Sequence, residues 1–339
     1  MKVRHLLFIL FSFLILQTSK AQDPHFSQYF ASPFTVNPAF TGKFDGDYRI
    51  MGNFRNQWSQ IDNGYQTYSA AIDMPILQNQ MNDRDVLGIG FMGYSDKSAN
   101  GAVSSNYFSF STAFNKGLDD KGYQQLGLGL QGTYSNMMVN TSKLHFLDQL
   151  TPLGWTNLTS ENFNNSTLKN HYLDLNAGLL YTYSTDESNN YYVGASMYHI
   201  NKPKQNFTIG DFQINPRYTF NAGAYFPVGE ELTLHVSGLH SIQSGTKETL
   251  LGGALQFHLN DEYNSVAPTN FFAGGWVRFG DAIIPYVGLE FLNTKLGLTY
   301  DINSSGSKTV TQSRNGVELS LQYIIKSNKT VNRHTPPQY

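Results

Sequence analysis

Glycines at positions 127, 129 and 132 reproduce the letters of the fingerprint with which many proteins bind a dinucleotide. In that fingerprint the glycines follow a strand and open a helix whose N-terminus holds the pyrophosphate. Here Gly127, Gly129 and Gly132 belong to a run, 126–132, in which leucine and glycine alternate, and no helical pattern follows. The glycines therefore indicate inward-facing strand positions, and we expect no nucleotide cofactor.

Histidine is the second residue type that suggests chemistry. His235 and His240 lie on one predicted strand and His258 on the next, so the three could meet across a hairpin as metal ligands. They lack the i, i+4 spacing of a helical zinc motif, and no cysteine assists them. Polar positions in the interior or at the rim of a barrel explain them more simply. The chain also lacks a G-x-S-x-G elbow, so neither a metal nor an enzyme activity is predicted.

Composition narrows the class of protein to which the chain can belong. Charged residues make up 14%, where a soluble domain averages about 25%, while aromatics reach 14% and glycines number 30. The net charge of -2 gives no reason to expect nucleic acid as a partner. Cysteine is absent, which excludes a disulfide framework. Beyond the N-terminal region no apolar stretch is long enough for a transmembrane helix.

Apolar residues recur at every second position along most of the chain, which is typical of β-strands with one apolar face. The other face carries small and polar residues with scattered charges, among them Asp73, Lys295, Asp301 and Glu318. A soluble sandwich would turn lysine and glutamate to water, whereas this face suits the lumen of a membrane barrel. The predicted strands are 47–58, 64–74, 86–95, 102–114, 123–135, 171–184, 190–200, 217–227, 231–242, 247–260, 269–279, 282–292, 294–302 and 314–325.

The pattern predicts an all-β fold, a transmembrane antiparallel β-barrel of about fourteen strands over residues 47–325, an even number as such barrels require. With the first strand running outward, the long connections 136–170 and 201–216 fall at the outer end. The first of these carries apolar side chains such as Trp155, so we expect it to fold inward or to cap the mouth. Tyrosines near strand ends, such as Tyr134, are typical of interfacial girdles.

The two ends of the chain have compositions of their own. Residues 1–21 combine a basic start, an apolar run at 6–16 and small residues, which is the pattern of a secretory signal peptide cleaved after about Ala21. No cysteine follows the apolar run, so a lipoprotein anchor is not expected. Residues 326–339 are basic and polar and are interpreted as a short periplasmic tail.

Between the signal peptide and the barrel lies a proline-rich segment, 22–46. Its three prolines remove backbone donors and favour extended geometry, so helix and central strand are both disfavoured. The segment is nevertheless too aromatic for a disordered tail. We predict an extended N-terminal periplasmic arm, ordered against its own barrel or docked on a partner, two interpretations that are compatible. Its aromatic residues are Phe26, Tyr29, Phe30, Phe34 and Phe40.

The order of residues in this arm, D-P-x-F-S-Q-Y and then P-x-x-x-N-P-A-x-x-G, followed by an R-N-Q-W sequence at 55–58, resembles the start of PorP/SprF-type outer-membrane proteins of the type IX secretion system. The match covers residues 22–58 and continues as strand patterns over the rest of the chain. The positions that carry it, and that the resemblance implies to be partner-binding, are Asp23, Pro24, Phe26, Ser27, Gln28, Tyr29, Pro33, Asn37, Pro38, Ala39, Gly42, Arg55, Gln57 and Trp58.

The resemblance implies a non-enzymatic accessory barrel in the outer membrane of a Gram-negative bacterium, serving protein secretion and gliding motility. Implied partners are outer-membrane lipid, the C-terminal domain of a secreted cargo protein at the cell surface, and the periplasmic ring of the secretion machinery. The alternative class is a passive porin or small-solute transporter. Two roles also stay open for Arg55, which could clamp a carboxylate such as Asp73 or, with Trp58, position the arm.

Overall fold

The structure, a computed structural model, describes residues 23, 25–58, 64–152, 154–156, 158–161, 166–186, 188–206, 212–260, 269–304 and 316–326. The signal peptide, Pro24 and the tail beyond Lys326 lie outside this part of the chain. Among the described residues, no helix is long and apolar enough to cross a membrane.

Sixteen strands are described, and fourteen of them form one closed antiparallel barrel, which confirms the predicted fold class. The other two, β6 and β7, form a short hairpin in the connection between β5 and β8. The strands are β1 Tyr48–Gln57, β2 Tyr65–Ile76, β3 Val86–Ser98, β4 Val103–Gly117, β5 Gln124–Asn140, β6 Leu150–Thr151, β7 Gly154–Trp155, β8 Thr167–Ser184, β9 Asn190–Tyr198, β10 Arg217–Pro227, β11 Leu232–Gln243, β12 Thr246–His258, β13 Thr269–Arg278, β14 Ala282–Phe291, β15 Thr294–Asn303 and β16 Gly316–Ile325.

Each barrel strand pairs with its neighbours in the chain, and β1 closes the wall by pairing with β16 from Tyr48 opposite Ile325 to Gln57 opposite Gly316. The two faces of the wall differ as the sequence pattern requires. On β5 the leucines at 126, 128 and 130 are exposed on the outer face, while Gln125 and Gln131 are buried on the inner face. An apolar outer face of this kind is the lipid-facing surface of a membrane barrel.

The two ends of the barrel carry connections of different length. The end at which β1 begins and β16 finishes, here called the inner end, includes the two-residue turn Leu292–Asn293, with φ of 49° and 64°. The opposite, outer end carries the two longest connections, 141–166 and 199–216. In the Leu292–Asn293 turn, positive φ at both central residues matches the twist of the flanking strands. The uneven loop lengths agree with the predicted strand parity.

The lumen is filled by the N-terminal arm, 23–46, which corrects the expectation of an extended periplasmic arm. The prolines do exclude regular helix and strand, but Pro33 and Pro38 each open a one-turn 3₁₀ helix. The arm is therefore coiled, and its side chains contact the inner face of the wall. The short turns pair only some of the arm's backbone N–H and C=O groups. The remaining buried groups need hydrogen-bond partners on the wall.

The described residues of the connection 141–166 do not plug the lumen, which contradicts the inward alternative for the predicted loop 136–170. Leu147 is 84% exposed and Trp155 60% exposed, so neither side chain is buried in the barrel interior. The loop is held by its own contacts: the Asp148 carboxylate accepts hydrogen bonds from the Ser160 backbone N–H and from the Thr159 hydroxyl. The space that an inward loop would have used is already occupied by the arm.

The two faces of β5 allow a direct test of the membrane assignment. Leu128→Arg places a cation within the apolar band and should cost about 2–4 kcal/mol of unfolding free energy, whereas Asn136→Arg, on the same strand and face near its outer end, should cost about 0–1 kcal/mol. Urea unfolding in lipid vesicles, followed by heat-dependent gel migration, measures both. Equal losses for the two variants would show that the apolar face does not meet lipid.

Candidate functional site

The arm runs along the lumen from the outer end to the inner end. Asp23 contacts His199 and Gln243, which lie where β9 and β11 finish at the outer end. Gly42 donates its backbone N–H to Asp73, close to the inner end of β2, at 2.7 Å. The arm side chains that are almost completely buried include Phe26, Ser27, Gln28, Tyr29, Phe34, Asn37, Ala39 and Lys43. Most of the predicted partner-binding motif is thus buried inside its own barrel.

Glycines on the inner face of the wall make room for the arm. A Cβ on Gly129 would overlap the backbone of Pro38 and Ala39, and a Cβ on Gly178 would overlap the Asn37 side chain. Gly129 belongs to the run that imitates a dinucleotide fingerprint, and the structure places it in the middle of β5. Because only glycine permits such close approach of two backbones, this part of the wall is shaped around the arm.

A carboxylate of the wall holds the backbone of the arm. The two oxygens of Glu318 accept hydrogen bonds from the backbone N–H groups of Ser27 and Gln28, both at 2.8 Å. The Gln28 side chain adds bonds to the Glu318 carbonyl at 3.0 Å and from Ser320 at 2.7 Å. Charge-assisted bonds from backbone N–H groups to a buried carboxylate are among the strongest hydrogen bonds in proteins. Glu318 therefore fixes the height of the arm in the lumen.

Two arginines of the wall balance the acidic groups around the arm. Arg55 lies 3.1 Å and Arg278 3.2 Å from Asp301, which also accepts the Ser27 hydroxyl at 2.7 Å. Arg55 donates to the backbone carbonyl of His25 as well, and Arg278 donates to the Ser27 hydroxyl at 2.6 Å. Arg55 therefore combines the two roles left open for it, because it binds a carboxylate, Asp301, and also contacts the backbone of the arm at His25.

Asp73 is instead clamped by Arg49, through two bonds of 2.9 and 2.7 Å. The expected pairing of Asp73 with Arg55 is therefore wrong, because Arg49 lies opposite Asp73 in the register of β1 and β2. The Arg49–Asp73 pair is fully buried, and Asp73 also receives the Gly42 N–H. The additional hydrogen bond offsets part of the cost of removing both charges from water.

The outer end of the arm is held by an ionic cluster. The Asp23 carboxylate lies 2.8 Å from His199 Nε2 and 3.5 Å from Arg217, and His199 Nδ1 lies 3.0 Å from Asp174. Burial alone would raise the pKa of Asp23, but His199 and Arg217 hold it well below its usual value. Burial alone would lower the pKa of His199, but Asp23 and Asp174 raise it to about 9. The pair is therefore charged at neutral pH.

Aromatic rings hold the next segment of the arm. The Phe30 ring lies 4.7 Å from Trp276 and 5.5 Å from Tyr286, the second contact being edge-to-face. Tyr29 donates its hydroxyl to Ser237 at 2.7 Å, and Trp276 donates its ring N–H to the same oxygen at 3.1 Å. Aromatic pairs in these geometries contribute about 0.5–1.5 kcal/mol beyond their buried area. This explains why the arm is so aromatic.

The carbonyls of the arm's middle segment are paired with wall side chains, as a buried backbone requires. Tyr198 and Gln131 donate to the Phe34 carbonyl at 2.8 and 3.2 Å, and Arg217 donates to Thr35 at 2.9 Å. The Asn37 side chain caps the turn at Pro38–Phe40 by accepting the Ala39 N–H at 2.9 Å. Asn37 also donates to the Leu179 carbonyl of β8 at 2.9 Å, so the cap fastens the arm to the wall.

Three of the predicted site residues fall outside this arrangement. Gln57 and Trp58 lie where β1 finishes at the outer end, and the Trp58 ring packs edge-on against Tyr65 at 5.6 Å. Pro24 lies outside the described residues. The histidines weighed as metal ligands bind polar neighbours: His235 contacts Gln256 and His258 contacts Asn270. Within the described part of the chain, no cluster of His, Asp and Glu is arranged to hold a metal.

Comparison with known proteins gives the chain its family. The family model of the type IX secretion system membrane protein PorP/SprF matches residues 18–323, nearly the whole chain. The chain belongs to the PorP/SprF family. No curated protein matches the sequence.

Among solved structures, two outer-membrane barrels similar to this PorP/SprF protein are the toluene transporter TbuX of Ralstonia pickettii and a FadL homologue of Pseudomonas aeruginosa. TbuX has 11% identity over 91% of this chain and 96% of its own, with a TM-score of 0.47. The FadL homologue has 11% identity over 84% of this chain and 91% of its own, with a TM-score of 0.46.

Apart from Arg55, sequence reasoning did not identify the wall residues that hold the arm of the PorP/SprF barrel. The strongest of them are Glu318, Asp301, Arg278, Tyr198 and His199. A usable signal was present, because Asp301 and Glu318 lie on the inner phase of predicted strands, and unpaired charges are costly inside a barrel. Their position on the inner face shows that these charges need partners within the lumen. It does not show that the arm provides those partners.

The Glu318 contact predicts how firmly the arm is held. Glu318→Gln replaces two charge-assisted bonds with one neutral acceptor, so the Ser27 and Gln28 amides should exchange with deuterium about 10- to 100-fold faster. Hydrogen exchange with mass spectrometry measures the change. Glu290→Gln is the matched control, because Glu290 is also an inner-face carboxylate of the wall and binds Asn270 rather than the arm. Equal exchange in both variants would show that Glu318 does not hold the arm.

The His199 pair predicts a pH dependence at the outer end of the arm. Because the pKa of His199 is raised from about 6.5 to about 9, its stabilising contribution is complete below pH 6.5, falls between pH 6.5 and 9, and is lost above pH 9. The total change is on the order of 3 kcal/mol. Unfolding free energy measured across this range should fall more for the native chain than for His199→Gln. Parallel curves would show that the pair contributes nothing.

Proposed function

We propose that this PorP/SprF protein is a non-conducting, non-enzymatic accessory barrel of the outer membrane that supports export or surface anchoring of a secreted cargo protein by protein–protein recognition. The observation that supports the proposal most is the arm inside the lumen. An open porin needs a continuous water path, whereas here Phe26, Tyr29, Phe34 and Asn37 are buried between opposite walls.

The charges around the arm oppose its release. Removing Ser27 and Gln28 from the lumen would take away the two N–H groups that donate hydrogen bonds to the Glu318 carboxylate. It would also remove the Ser27 hydroxyl from Asp301, which would then keep Arg55 as a partner. An unpaired buried charge is costly. Spontaneous loss of the arm would therefore be costly. This argues against a passive porin, which needs an open water path through the lumen.

Recognition of the cargo protein would use the surfaces of the barrel that the arm does not cover. Outer-membrane barrels place their longer loops outside the cell and short turns in the periplasm, so we assign the outer end to the cell exterior. There the loop 141–166 exposes Leu147, Trp155 and Leu158, which suit contact with a secreted protein. The inner-end turns would face the periplasmic ring of the secretion machinery. The buried motif residues of the arm would act by holding the barrel in shape.

The proposal predicts closed barrels and a bound cargo. In planar bilayers the purified protein should show no steady current, while deletion of residues 23–42 should produce ion flow. From native membranes a tagged copy should co-purify a secreted protein, and cells lacking the barrel should lose that protein from their surface while still synthesising it. The same purification from the inner-membrane fraction of these cells measures the background of proteins that bind non-specifically. Large, stable currents from the intact chain, with normal surface cargo in the null strain, would favour the porin alternative.

A further inference from the structure

Four strands of the barrel continue beyond the lipid-facing band at the outer end. On the outer face of β8 the side chains change from Leu175 and Leu173 to His171 and Lys169, and on β5 Tyr134 lies opposite Leu173. Tyrosine is typical of the membrane–water interface, so the polar residues beyond it lie outside the membrane. β3, β4, β5 and β8 remain paired to their last residues there, up to Asn140 opposite Thr167. They form a small extracellular sheet.

This sheet has an open edge on β8. β5 pairs with β8 along its whole length, from Thr167 to Tyr183, but β9 pairs with β8 only from Ala177 onward. Among the described residues, therefore, no strand pairs with the second side of residues 167–176 of β8. Edges of this length are usually covered or blocked, because their N–H and C=O groups are a template for another strand.

Part of the edge is covered by the chain that follows β9. Ile200 donates its N–H to the Leu175 carbonyl at 3.0 Å, and the Asn201 side chain bridges the Leu173 carbonyl and the Leu175 N–H at 2.8 and 3.1 Å. Since backbone groups alternate along a strand, those of His171 and Lys169 point the same way. Within the described part of the chain, no backbone group pairs with them, and both residues are exposed.

We propose that the edge of β8 at Lys169–Leu173 binds an extended strand of the secreted partner, which would extend the extracellular sheet by one strand. The inference rests on the proposed recognition function and names the surface that performs it. Main-chain hydrogen bonds supply the contact in strand addition, and side chains at alternate positions supply specificity. Lys169 favours an acidic residue directly opposite it, and Leu173, 68% exposed, offers an apolar contact.

A second copy of the barrel does not fit this edge. Two barrels in one membrane are related by an axis along the membrane normal, and their strands tilt by about 35–45° from it. The two β8 edges would then cross at about twice the tilt, roughly 70–90°, and no ladder forms at such an angle. The occupant must therefore approach freely from the cell exterior, as a secreted protein does.

A proline at the edge tests the backbone contact without removing a wall strand. His171→Pro deletes one outward N–H and places a ring in the path of an added strand, while the β5 ladder on the other side is kept, a position where edge strands tolerate proline. His171→Ala is the matched control, because it removes the side chain and keeps the N–H. The probe is the purified C-terminal domain of the secreted protein that co-purifies with the barrel. Its affinity should fall at least about tenfold for His171→Pro and stay unchanged for His171→Ala.

Hydrogen exchange on the native barrel provides a second measurement that does not depend on the proline variant folding. Saturation with the cargo domain should protect the peptide covering 167–173 and leave 103–106 of β4, paired on both sides, unchanged. Equal affinity of folded His171→Pro, or no protection of 167–173, would overturn the edge site while leaving cargo recognition intact. Absence of any co-purifying secreted protein would overturn both proposals. Self-association of the barrel through 167–173 would show that the occupant is a second copy.

Discussion

The hydrogen bonds from Ser27 and Gln28 to the buried carboxylate of Glu318 are the constraint on which the lumen depends. Glu318 lies on the wall and the two donors lie on the arm, so neither part is satisfied without the other. Around them Asp301 is shared by Arg55, Arg278 and the Ser27 hydroxyl. In a space from which water is largely excluded, each unmatched charge would be costly, and together they specify one position of the arm.

A barrel of fourteen strands encloses more space than its own wall side chains can fill, since about eight strands already reach that limit. In this protein a segment of the chain itself, the arm, fills the remaining space of the lumen. Where the arm passes close to the wall, the wall residue is glycine, as at Gly129 beside Pro38 and Ala39. The arm thus acts as the core of the barrel. Its aromatic rings, such as Phe30 between Trp276 and Tyr286, pack as a soluble core would.

The wall was predictable from the sequence because a membrane strand must alternate, and every strand predicted from alternation has a counterpart in the structure. The bounds were least accurate where the strict alternation of apolar and polar side chains is lost. β5 continues to Asn140 and β8 begins at Thr167, while the pattern indicated 123–135 and 171–184. Above the membrane a strand no longer needs an apolar face, so the period-2 signal disappears although the ladder continues.

The position of the arm was not predictable by the same reasoning. Prolines exclude helix and central strand whether a segment lies in the periplasm or in a lumen, and aromatic content indicates burial without naming the surface. The apolar loop 136–170 was the stronger candidate for an internal plug on composition alone. What distinguishes the two is polar complementarity: N–H and C=O groups of the arm bind Glu318, Tyr198 and Arg217, whereas within the loop Asp148 accepts the Ser160 N–H.

The path of the arm also determines which strands of the wall it connects. The chain enters β1 at the inner end, yet Asp23 lies at the outer end among His199, Arg217 and Gln243. Between these points the arm binds several strands of the wall: the Phe34 carbonyl accepts hydrogen bonds from Gln131 and Tyr198, and Asn37 donates to the Leu179 carbonyl. Through these contacts the arm links β5, β8 and β9 across the lumen, and through Glu318 it also binds β16. The charges that hold the arm are thus also contacts that connect strands of the wall, because Ser27 binds Asp301 of β15 and Glu318 of β16.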